Sequence, residues 1–535
     1  MAFELPIFSA PAGAVPISPG TNIQSVVNSY PTGTAFLLKA GVHRGQTITP
    51  RNGTSFYGEV GPDGSLLTIL SGEDQTKLAF DWWRGTNVTI RNLVIERYVT
   101  GDHVGAIFTN QGWLVEGNEI RNNQKLGIYI HRGRTTVRGN YIHNNGMLGI
   151  TGSGENILVE DNEISSNNTG SFNSAYQAGG LKFGGSATSG LIIRRNYVHD
   201  NNAKGIWTDV NLPGALIEDN LVVRNRDEGI KVEISYGNTV RNNRLADNGR
   251  NGGWMYGSQI LISTSADSRV YGNTVEVNAA YGKGISIIQQ NRGSGPLGPY
   301  VTRNNQVYDN RIIYRGDTAS QDMFNALSGV AQDISNNSVF TNNNRFYNNQ
   351  YYFPAGISER RFAWNNTYVD LAAFEAAHGE TGSTYSSNLP TLNWNWNNPS
   401  LSQRIEAENF DQITGFSREE WVAASGGTTL GLLNGSPSGT ATYNFTGLSG
   451  LYDIFIGAFD ENDGRAQLQL TRNNSSVGSI TLNQQLQGGS PSDATRVTRQ
   501  IGSSIQLNQG DILRVIGTPD SAEYARFDFI QFVPV

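Results

Sequence analysis

"VEGNEIRNN" (residues 115–123) places two asparagines five positions apart with an apolar residue between them, and the same frame returns along the chain. It recurs as "VRGNYIHNN" (137–145), "VEDNEISSN" (159–167), "IRRNYVHDN" (193–201), "IEDNLVVRN" (217–225), "VRNNRLADN" (240–248), "VYGNTVEVN" (270–278), "VTRNNQVYDN" (301–310) and "TNNNRFYNN" (341–349). The first Asn falls at Asn118, Asn140, Asn162, Asn196, Asn220, Asn243, Asn273, Asn305 and Asn344. The second falls at Asn123, Asn145, Asn167, Asn201, Asn225, Asn248, Asn278, Asn310 and Asn349. The closest copies are 22 residues apart, 118 to 140 to 162, a period that points to a solenoid.

Each unit consists of short β-branched runs broken by Asn and Gly, with no helical period, so one unit describes one turn of a coil made of strands and bends. Stacked turns form parallel sheets and set each Asn above the Asn of the previous coil. An Asn at a bend is expected to take left-handed dihedrals and to pass amide hydrogen bonds up the stack, satisfying backbone groups that the bend leaves unpaired. The fold class is therefore all-β, with a right-handed parallel β-helix whose hand follows from the strand-crossover preference. Leucine-rich and ankyrin solenoids would need a helix in every unit. "TNIQSVVNSY" (21–30), with Thr21 as N-cap candidate, reads as a helix capping the open N-terminal edge. "VDLAAFEAAHG" (369–379) reads as a helix closing the other end.

The chain of 535 residues carries 63 Gly, no Cys and a net charge of -7. The acidic balance and the lack of any dense Lys/Arg run exclude a sequence-independent nucleic-acid binder. Without cysteine there are no disulfides, thiolate metal sites or Cys nucleophile. The opening "MAFELPIFSAPAGAVPISPGTN" lacks a secretory signal's basic start and apolar core, and no apolar run approaches a membrane span. The expectation is a protein with no membrane insertion that works outside the cell or on a surface or particle. It gets there after removal of a leader, or by a route that needs none.

After "NLPTLNWNWNNPSLSQ" (388–403) the Asn frame ends, and alternating strands with Gly turns take over, such as "RAQLQLTRNNSSVGSITL" (465–482) and "GDILRVIGT" (510–518). The expected organisation is a β-helix over 1–390, a linker over 391–403, and an antiparallel β-sandwich of jelly-roll type over 404–535. "IEAENF" (405–410), opening a sandwich that closes with "ARFDFIQF" (525–532), resembles the carbohydrate-binding modules of families 6 and 35. That resemblance implies a structural calcium held by Glu406, Glu408 and Asp528, hard oxygen donors of the kind Ca²⁺ prefers. Trp421 and Tyr524 are the aromatic candidates for a sugar platform there. The oxygen-rich "FDENDG" (459–464) reads as a solvated turn ahead of a metal site.

The strands that follow the Asn bends superpose as "GIYIHRG" (127–133), "GITGSG" (149–154), "GLKFGG" (180–185), "GIWTDVN" (205–211), "GIKVEIS" (229–235), "QILISTS" (259–265) and "GISIIQQN" (284–291). Their second and fourth residues are mostly apolar and face the core, so the third and fifth face out. One outward column is Tyr129, Thr151, Lys182, Trp207, Lys231, Leu261 and Ser286; the other is His131, Ser153, Gly184, Asp209, Glu233, Ser263 and Ile288. Coils stack about 4.8 Å apart, so Asp209 and Glu233 become neighbours, with Lys182 and Lys231 beside them and Trp207 between the lysines. Such a carboxylate pair can supply a general acid and a partner base or nucleophile. An exposed indole beside polar groups suits a pyranose ring. Tyr129, His131 and Arg292 are candidate subsite residues. Insertions at 167–180, 248–259 and 289–300 are placed to wall a groove. The plain alternative is a solvated face of alternating charge.

Residues 1–390, with "PGTNIQSVVNSYPTGTAFLLKAGVHR" (19–44), "GIWTDVN" and "GIKVEIS", also resemble the pectate-lyase-like superfamily of β-helix proteins, many of which cleave or epimerise polysaccharides. The Asp-Pro-His-Glu run of alginate epimerases and the Gly-Asp-Asp run of polygalacturonases are absent, so neither activity carries over by residue. The leading expectation is a polysaccharide-processing enzyme that cleaves glycosidic bonds, by hydrolysis ahead of elimination. Asp209 and Glu233 are its carboxylates, Trp207 its platform, and Lys182 and Lys231 its ligands of an acidic or hydroxyl group or, in a lyase, its base. Hydrolysis needs no cofactor. The partner is a polysaccharide or cell-surface glycan, and monomer and trimer both fit. The rival is a non-catalytic glycan-binding spike or adhesin, with the β-helix as stalk.

Overall fold

Each repeat closes one coil of three short strands. Leu114–Glu116, Glu119–Arg121 and Leu126–Ile130 form one such coil. The next coil then lays Thr136–Arg138 parallel to the first strand, with Thr136 opposite Leu114, Val137 opposite Val115 and Arg138 opposite Glu116. Repetition builds three sheets of 13, 13 and 11 strands among the described residues, parallel except for the last pair of the third, Phe362–Trp364 with Thr367–Val369. The result is a right-handed parallel β-helix. Val115, Val137 and Val159, Ile120, Ile142 and Ile164, and Ile128 and Ile150 stack in fully buried columns along its axis.

This is a computed structural model that describes residues 5–61, 64–278, 281–316, 326–332, 337–355, 360–365, 367–378, 382–392 and 403–534. Within the last range it omits 422, 425–426, 433–434, 447–449, 463, 484–485, 487–488, 493–494, 509 and 521–523. The chain divides into two compact units, 2–396 and 397–535. Most of the expected linker, 393–402, lies outside the described residues.

The asparagines form two buried ladders. In the first, the Oδ1 of Asn140 accepts from both the backbone N–H and the Nδ2 of Asn118, each at 3.0 Å. The same double bond links Asn140 to Asn162, Asn162 to Asn196, Asn196 to Asn220, Asn220 to Asn243 and Asn243 to Asn273. The second runs Asn123, Asn145, Asn167, Asn201, Asn225, Asn248. Insertions leave this geometry unchanged. Asn162 and Asn196 are 34 residues apart yet bond at 3.1 and 2.9 Å, because the extra chain of 167–180 leaves the coil and rejoins it.

Two details differ from the sequence reading. The left-handed dihedral falls on the residue before each ladder Asn: Gly117, Gly139, Asp161, Arg195, Asp219, Asn242 and Gly272 have φ between 52° and 65°. The ladder residue must point its N–H along the stack, so the tight bend is made one position earlier. Gly, Asp and Asn tolerate that conformation, and Arg195 is held in it by Asp161 at 2.8 Å and Glu160 at 2.6 Å. The repeat frame also changes meaning in the last two coils. Asn273 passes its bonds to Asn310, and Asn310 to Asn349. Asn305 and Asn344 form a separate short ladder reached from the Ser268 N–H. There the two asparagines bracket Gln306–Tyr308 and Arg345–Tyr347, strands of the first sheet rather than the second. Asn278 stands outside the second ladder and donates to Asp247, while Asn248 donates to Gln259 Oε1 at 2.7 Å.

Helix α1 (Ile23–Ser29) caps the N-terminal end, with Ile23 and Val27 buried. Its N-cap is Asn22, whose Oδ1 accepts from Ser25 N at 2.8 Å, and not Thr21. Helix α2 (Leu371–His378) starts after Asp370, whose Oδ1 accepts from Ala373 N, and buries Phe374. The 397–535 unit is a sandwich of two antiparallel sheets. Its closing strand Phe527–Pro534 pairs with Gly450–Phe459 and Gln403–Glu406 over a core that includes Ile454, Leu468, Val515 and Phe532. Among the described residues no helix is long and apolar enough to cross a membrane.

Asn196→Ala strips the ladder of an acceptor serving Asn162 and of donors to Val159 O and Asn220 Oδ1. Each buried group left unpaired costs about 1–3 kcal/mol, so urea unfolding of this variant is expected to show a loss of at least about 3 kcal/mol. Asn278→Ala, outside the ladder, is expected to lose under about 1 kcal/mol.

Candidate active site

The third sheet carries the proposed chemistry on its outer face. Its register pairs Tyr129 with Thr151, Thr151 with Lys182, Lys182 with Trp207, Trp207 with Lys231, Lys231 with Leu261 and Leu261 with Ser286. Beside that column Gly184 opposes Asp209, and Glu233 opposes Ser263, which opposes Ile288. Since Thr208 faces Val232 across the same two strands, Asp209 and Glu233 follow as the next pair, about 4.8 Å apart in backbone spacing.

Each acid has its own cation. Lys182 Nζ lies 2.8 Å from Asp209 Oδ2, and Lys231 Nζ lies 2.9 Å from Glu233 Oε2. Arg292 Nη1 bonds the other oxygen of Glu233 at 2.9 Å, so this expected subsite residue is tied to the pair. Both acids are largely covered, with side-chain exposures of 8% for Asp209 and 4% for Glu233. Burial pushes the Lys182 ammonium below its ordinary pKa, against the opposing pull of Asp209 and Glu233.

Trp207 is not exposed. It retains 1% of its surface, and Lys182, Lys204 and Lys231 place their ammonium groups 3.6, 4.8 and 5.2 Å from its ring centroid. The expected sugar platform is thus a cationic floor, an indole face occupied by lysines through cation–π attraction. Its Nε1 is buried with no hydrogen-bond partner among the described residues. The cover comes from the insertions. Lys204 donates to Ser174 O at 2.9 Å and Lys182 donates to Tyr176 O, both carbonyls in the 167–180 insertion. Met255 of the second insertion packs with Leu261 and Ile288. Arg292 belongs to the third. At the rim, Tyr176 is 73% exposed.

Four further charged residues complete the cluster. Lys204 sits 3.4 Å from Asp227 and 3.5 Å from Glu228. Burial opposes charge on Glu228, but Lys204 and Lys231 outweigh it and lower its pKa. Lys283 donates to Gly252 O at 2.9 Å and is only 2% exposed; burial pushes it down to about 8, with Glu228 pulling the other way. Sequence reasoning overlooked these four, although Lys204, Glu228 and Lys283 each directly precede the Gly that opens an aligned strand. Extending the superposition by one residue would have found these three, and by two residues Asp227 as well.

Tyr129 and His131 lie toward the N-terminal end in an aromatic group of their own. The His131 ring is 4.4 Å from Trp82 and 5.6 Å from Phe108, and Tyr129 is 4.9 Å from Phe108. Burial and then Arg132 lower the His131 pKa.

In the 397–535 unit, Arg526 lies 5.8 Å from the Trp421 ring centroid and 5.0 Å from that of Tyr524. It also bonds Glu419 at 2.7 Å and Glu461 at 2.5 Å. The two aromatic candidates therefore share one guanidinium. Asp460 and Glu461 are buried and paired with Arg499 and Arg526, so this part of "FDENDG" is not a solvated turn; Asp463 lies outside the described residues. Arg404 faces Glu406 and Arg496 faces Asp528, each at 3.3 Å. Glu408 is pushed up by burial and by repulsion from Glu406 and Asp528, and its Oε2 is buried without a hydrogen bond among the described residues. The donors are chemically right for calcium, but among the described residues no three such side chains are grouped as a metal ion would require.

The family described as the right-handed beta helix region matches residues 79–232 and 169–294. Probable alpha-glucuronidase A of Aspergillus terreus is 28% identical over 181 residues, 32% of this chain and 19% of that protein. Alpha-glucuronidase A of Aspergillus tubingensis is 29% identical over 138 residues, 24% of this chain and 16% of that protein. The chain thus spans less than a fifth of the length of these curated relatives. Among solved structures, the A-module of the Azotobacter vinelandii mannuronan C-5 epimerase AlgE6 covers 69% of this chain and 94% of its own, at 15% identity and TM-score 0.43. The Dettilon tailspike protein covers 96% and 94%, at 12% identity and TM-score 0.42. A carbohydrate-binding module of the Cellvibrio mixtus lichenase 5A covers 25% and 97%, at 20% identity and TM-score 0.20.

Lys283 sets a pH signature. Its folded pKa of about 8 lies below the unfolded value of about 10.4, so the unfolded chain binds more protons between the two and this lysine's contribution to stability rises with pH there. Lys283→Met removes the rise. Its stability relative to the parent, measured by urea unfolding, is expected to fall by roughly 2 kcal/mol from pH 8 to pH 10.

Proposed function

We propose that the protein is a polysaccharide-processing enzyme acting outside the cell, which cleaves glycosidic bonds over the outer face of the third sheet. The observation that carries this reading is the in-register acid pair, Asp209 and Glu233, each held by its own lysine within 3 Å and enclosed by three insertions. A merely solvated face would leave such residues exposed, whereas here water is largely displaced and every charge interaction is strengthened. In hydrolysis one carboxyl protonates the leaving oxygen, while the other attacks the anomeric carbon or activates water. Lys182 and Lys231 orient the acids, and Trp207 holds the lysines in place. The curated relatives carry the name alpha-glucuronidase, which accords with a sugar-acting reading.

The lowered pKa of Lys182 favours a second reading. A lysine that loses its proton more readily is the base a lyase needs to abstract the proton beside a uronate carboxylate, and Arg292 is positioned to meet that carboxylate. Elimination leaves an unsaturated, ultraviolet-absorbing end, and hydrolysis leaves only reducing ends. The 397–535 unit serves this reading as a glycan-binding module, with Trp421, Tyr524 and Arg526 as its contact surface.

Against a panel of neutral and uronate polysaccharides, the parent is expected to release new ends. Asp209→Asn/Glu233→Gln is expected to reduce turnover by at least about a hundredfold, the low end of general acid–base contributions. Unchanged turnover would remove the acids from the mechanism. Absence of turnover with glycan binding intact in both proteins would favour the non-catalytic spike.

Structural calcium at Glu406, Glu408 and Asp528, which the family resemblance implies, belongs to the same proposal although among the described residues these side chains are not grouped around an ion site; its support is the unbonded oxygen and the like-charge repulsion at Glu408. Calcium at a hundred times its Kd is expected to stabilise the unit by about 2.7 kcal/mol. The expected result is a rise in thermal midpoint on adding calcium, reversed by EDTA and missing in Glu408→Gln.

A further inference from the structure

A cleft of about 680 Å³ lies at the N-terminal end of the solenoid, away from the acid pair. Gln24 and Asn28 of α1, Arg51 and Asn52 of the following turn, and Trp83 and Arg84 of the next contribute to its walls. Trp83 is 65% exposed, and among the described residues its ring meets one other, Trp82, edge-on at 5.4 Å. Unlike Trp207, this indole is largely open to solvent.

The cleft is rich in donors and carries no acid in its lining among the described residues. Arg51 donates to Tyr30 O at the floor. Arg84 has no ion pair or hydrogen bond among the described residues. Asn52 Oδ1 is occupied by the N–H and hydroxyl of Thr86 at 3.0 and 3.2 Å, which leaves the Asn52 amide nitrogen to donate. Gln24 accepts from Thr49 N at 2.6 Å and donates to Asn28 Oδ1 at 2.9 Å, which likewise turns the Asn28 nitrogen outward as a donor. Two guanidinium groups, two amide donors and an open aromatic face together match one ligand chemistry. That ligand is a ring with an apolar C–H face, hydroxyls at its edge and a carboxylate for the arginines.

We propose that this cleft is a binding subsite for a uronate residue of an acidic glycan, with Trp83 under the pyranose ring and Arg84 on its carboxylate. The choice of a sugar over other stacking anions rests on the polysaccharide-acting reading above. The site itself rests only on the cleft. Five coil steps separate the Trp207 strand from Phe80, three residues before Trp83, through strands Gly179–Gly184, Leu148–Gly152, Leu126–Ile130 and Gly105–Thr109. At about 4.8 Å per step the two sites are roughly 24 Å apart along the axis. A long chain can reach both, and a short one occupies only one.

The test is calorimetric binding of galacturonate, glucuronate and mannuronate oligomers, beside cello-oligomers of equal length. The proteins compared are the parent, Trp83→Ala, Arg84→Ala and Asp209→Asn/Glu233→Gln. At least one acidic oligomer is expected to bind the parent, with affinity weakened at least about tenfold in Trp83→Ala and in Arg84→Ala. Arg84→Ala should not weaken cello-oligomer binding. Both substituted side chains are exposed, so thermal midpoints should match the parent and exclude misfolding. Binding of no acidic oligomer, or binding that neither substitution weakens, overturns the subsite. The acid-pair variant separates the two readings. If it keeps full turnover while Trp83→Ala loses affinity, the catalytic assignment falls and the subsite stands.

Discussion

The buried amide ladder is the interaction on which the rest of this molecule depends. Each ladder asparagine offers one oxygen that accepts twice from the coil below, as Asn140 does from Asn118 at 3.0 Å for both bonds. A buried polar group is expensive unless paired, so the ladder permits one stacking register and penalises every other. Register in turn decides which side chains meet on the outer face, because a slip of one residue would turn the whole set inward. The juxtaposition of Asp209 and Glu233 is therefore a consequence of amides on other faces of the same coils.

The ladder also explains how the protein tolerates insertions. Asn162 and Asn196 close the coil with unchanged bonds across a 34-residue separation, so the added chain is free to do other work. It folds over the third sheet, where the backbone carbonyls of Ser174 and Tyr176, with that of Gly252 in the second insertion, accept hydrogen bonds from the lysines. Without those acceptors, burying so many ammonium groups would be prohibitive, since a desolvated ion needs both a counter-charge and satisfied hydrogens. The indole of Trp207 supplies the remaining support from beneath. The cover that makes the cluster electrostatically strong is the same cover that removes Trp207 from contact with a ligand.

Trp83 and Trp207 show how one residue type serves two ends. Trp207 stands within a strand of the third sheet and Trp83 in a turn five coils away, and one is 1% and the other 65% exposed. The difference lies in what is inserted nearby. The long insertions of 167–180, 248–259 and 289–300 belong to the middle and C-terminal coils. Among the described residues none of these insertions reaches the first coils, and the cleft beside α1 is open.

The repeat, its parallel stacking and the change to an antiparallel sandwich were legible in the sequence, because a hydrogen-bonded ladder demands the same residue at the same place in every coil. The outward columns were legible for the same reason: strand alternation and a constant period are local properties that add without ambiguity. Three things were decided only by tertiary structure. The five-residue Asn spacing brackets a strand of either sheet, so the shift of Asn305 and Asn344 to another ladder left no mark in the local pattern. The left-handed residue moved to Gly117, Arg195 and their equivalents, because the direction of the N–H along the stack is a property of two coils together. The burial of Trp207 and the lowered pKa of Lys283 depend on where distant insertions come to rest. Periodicity determines neighbours along the axis, and only the folded chain determines what lies over them.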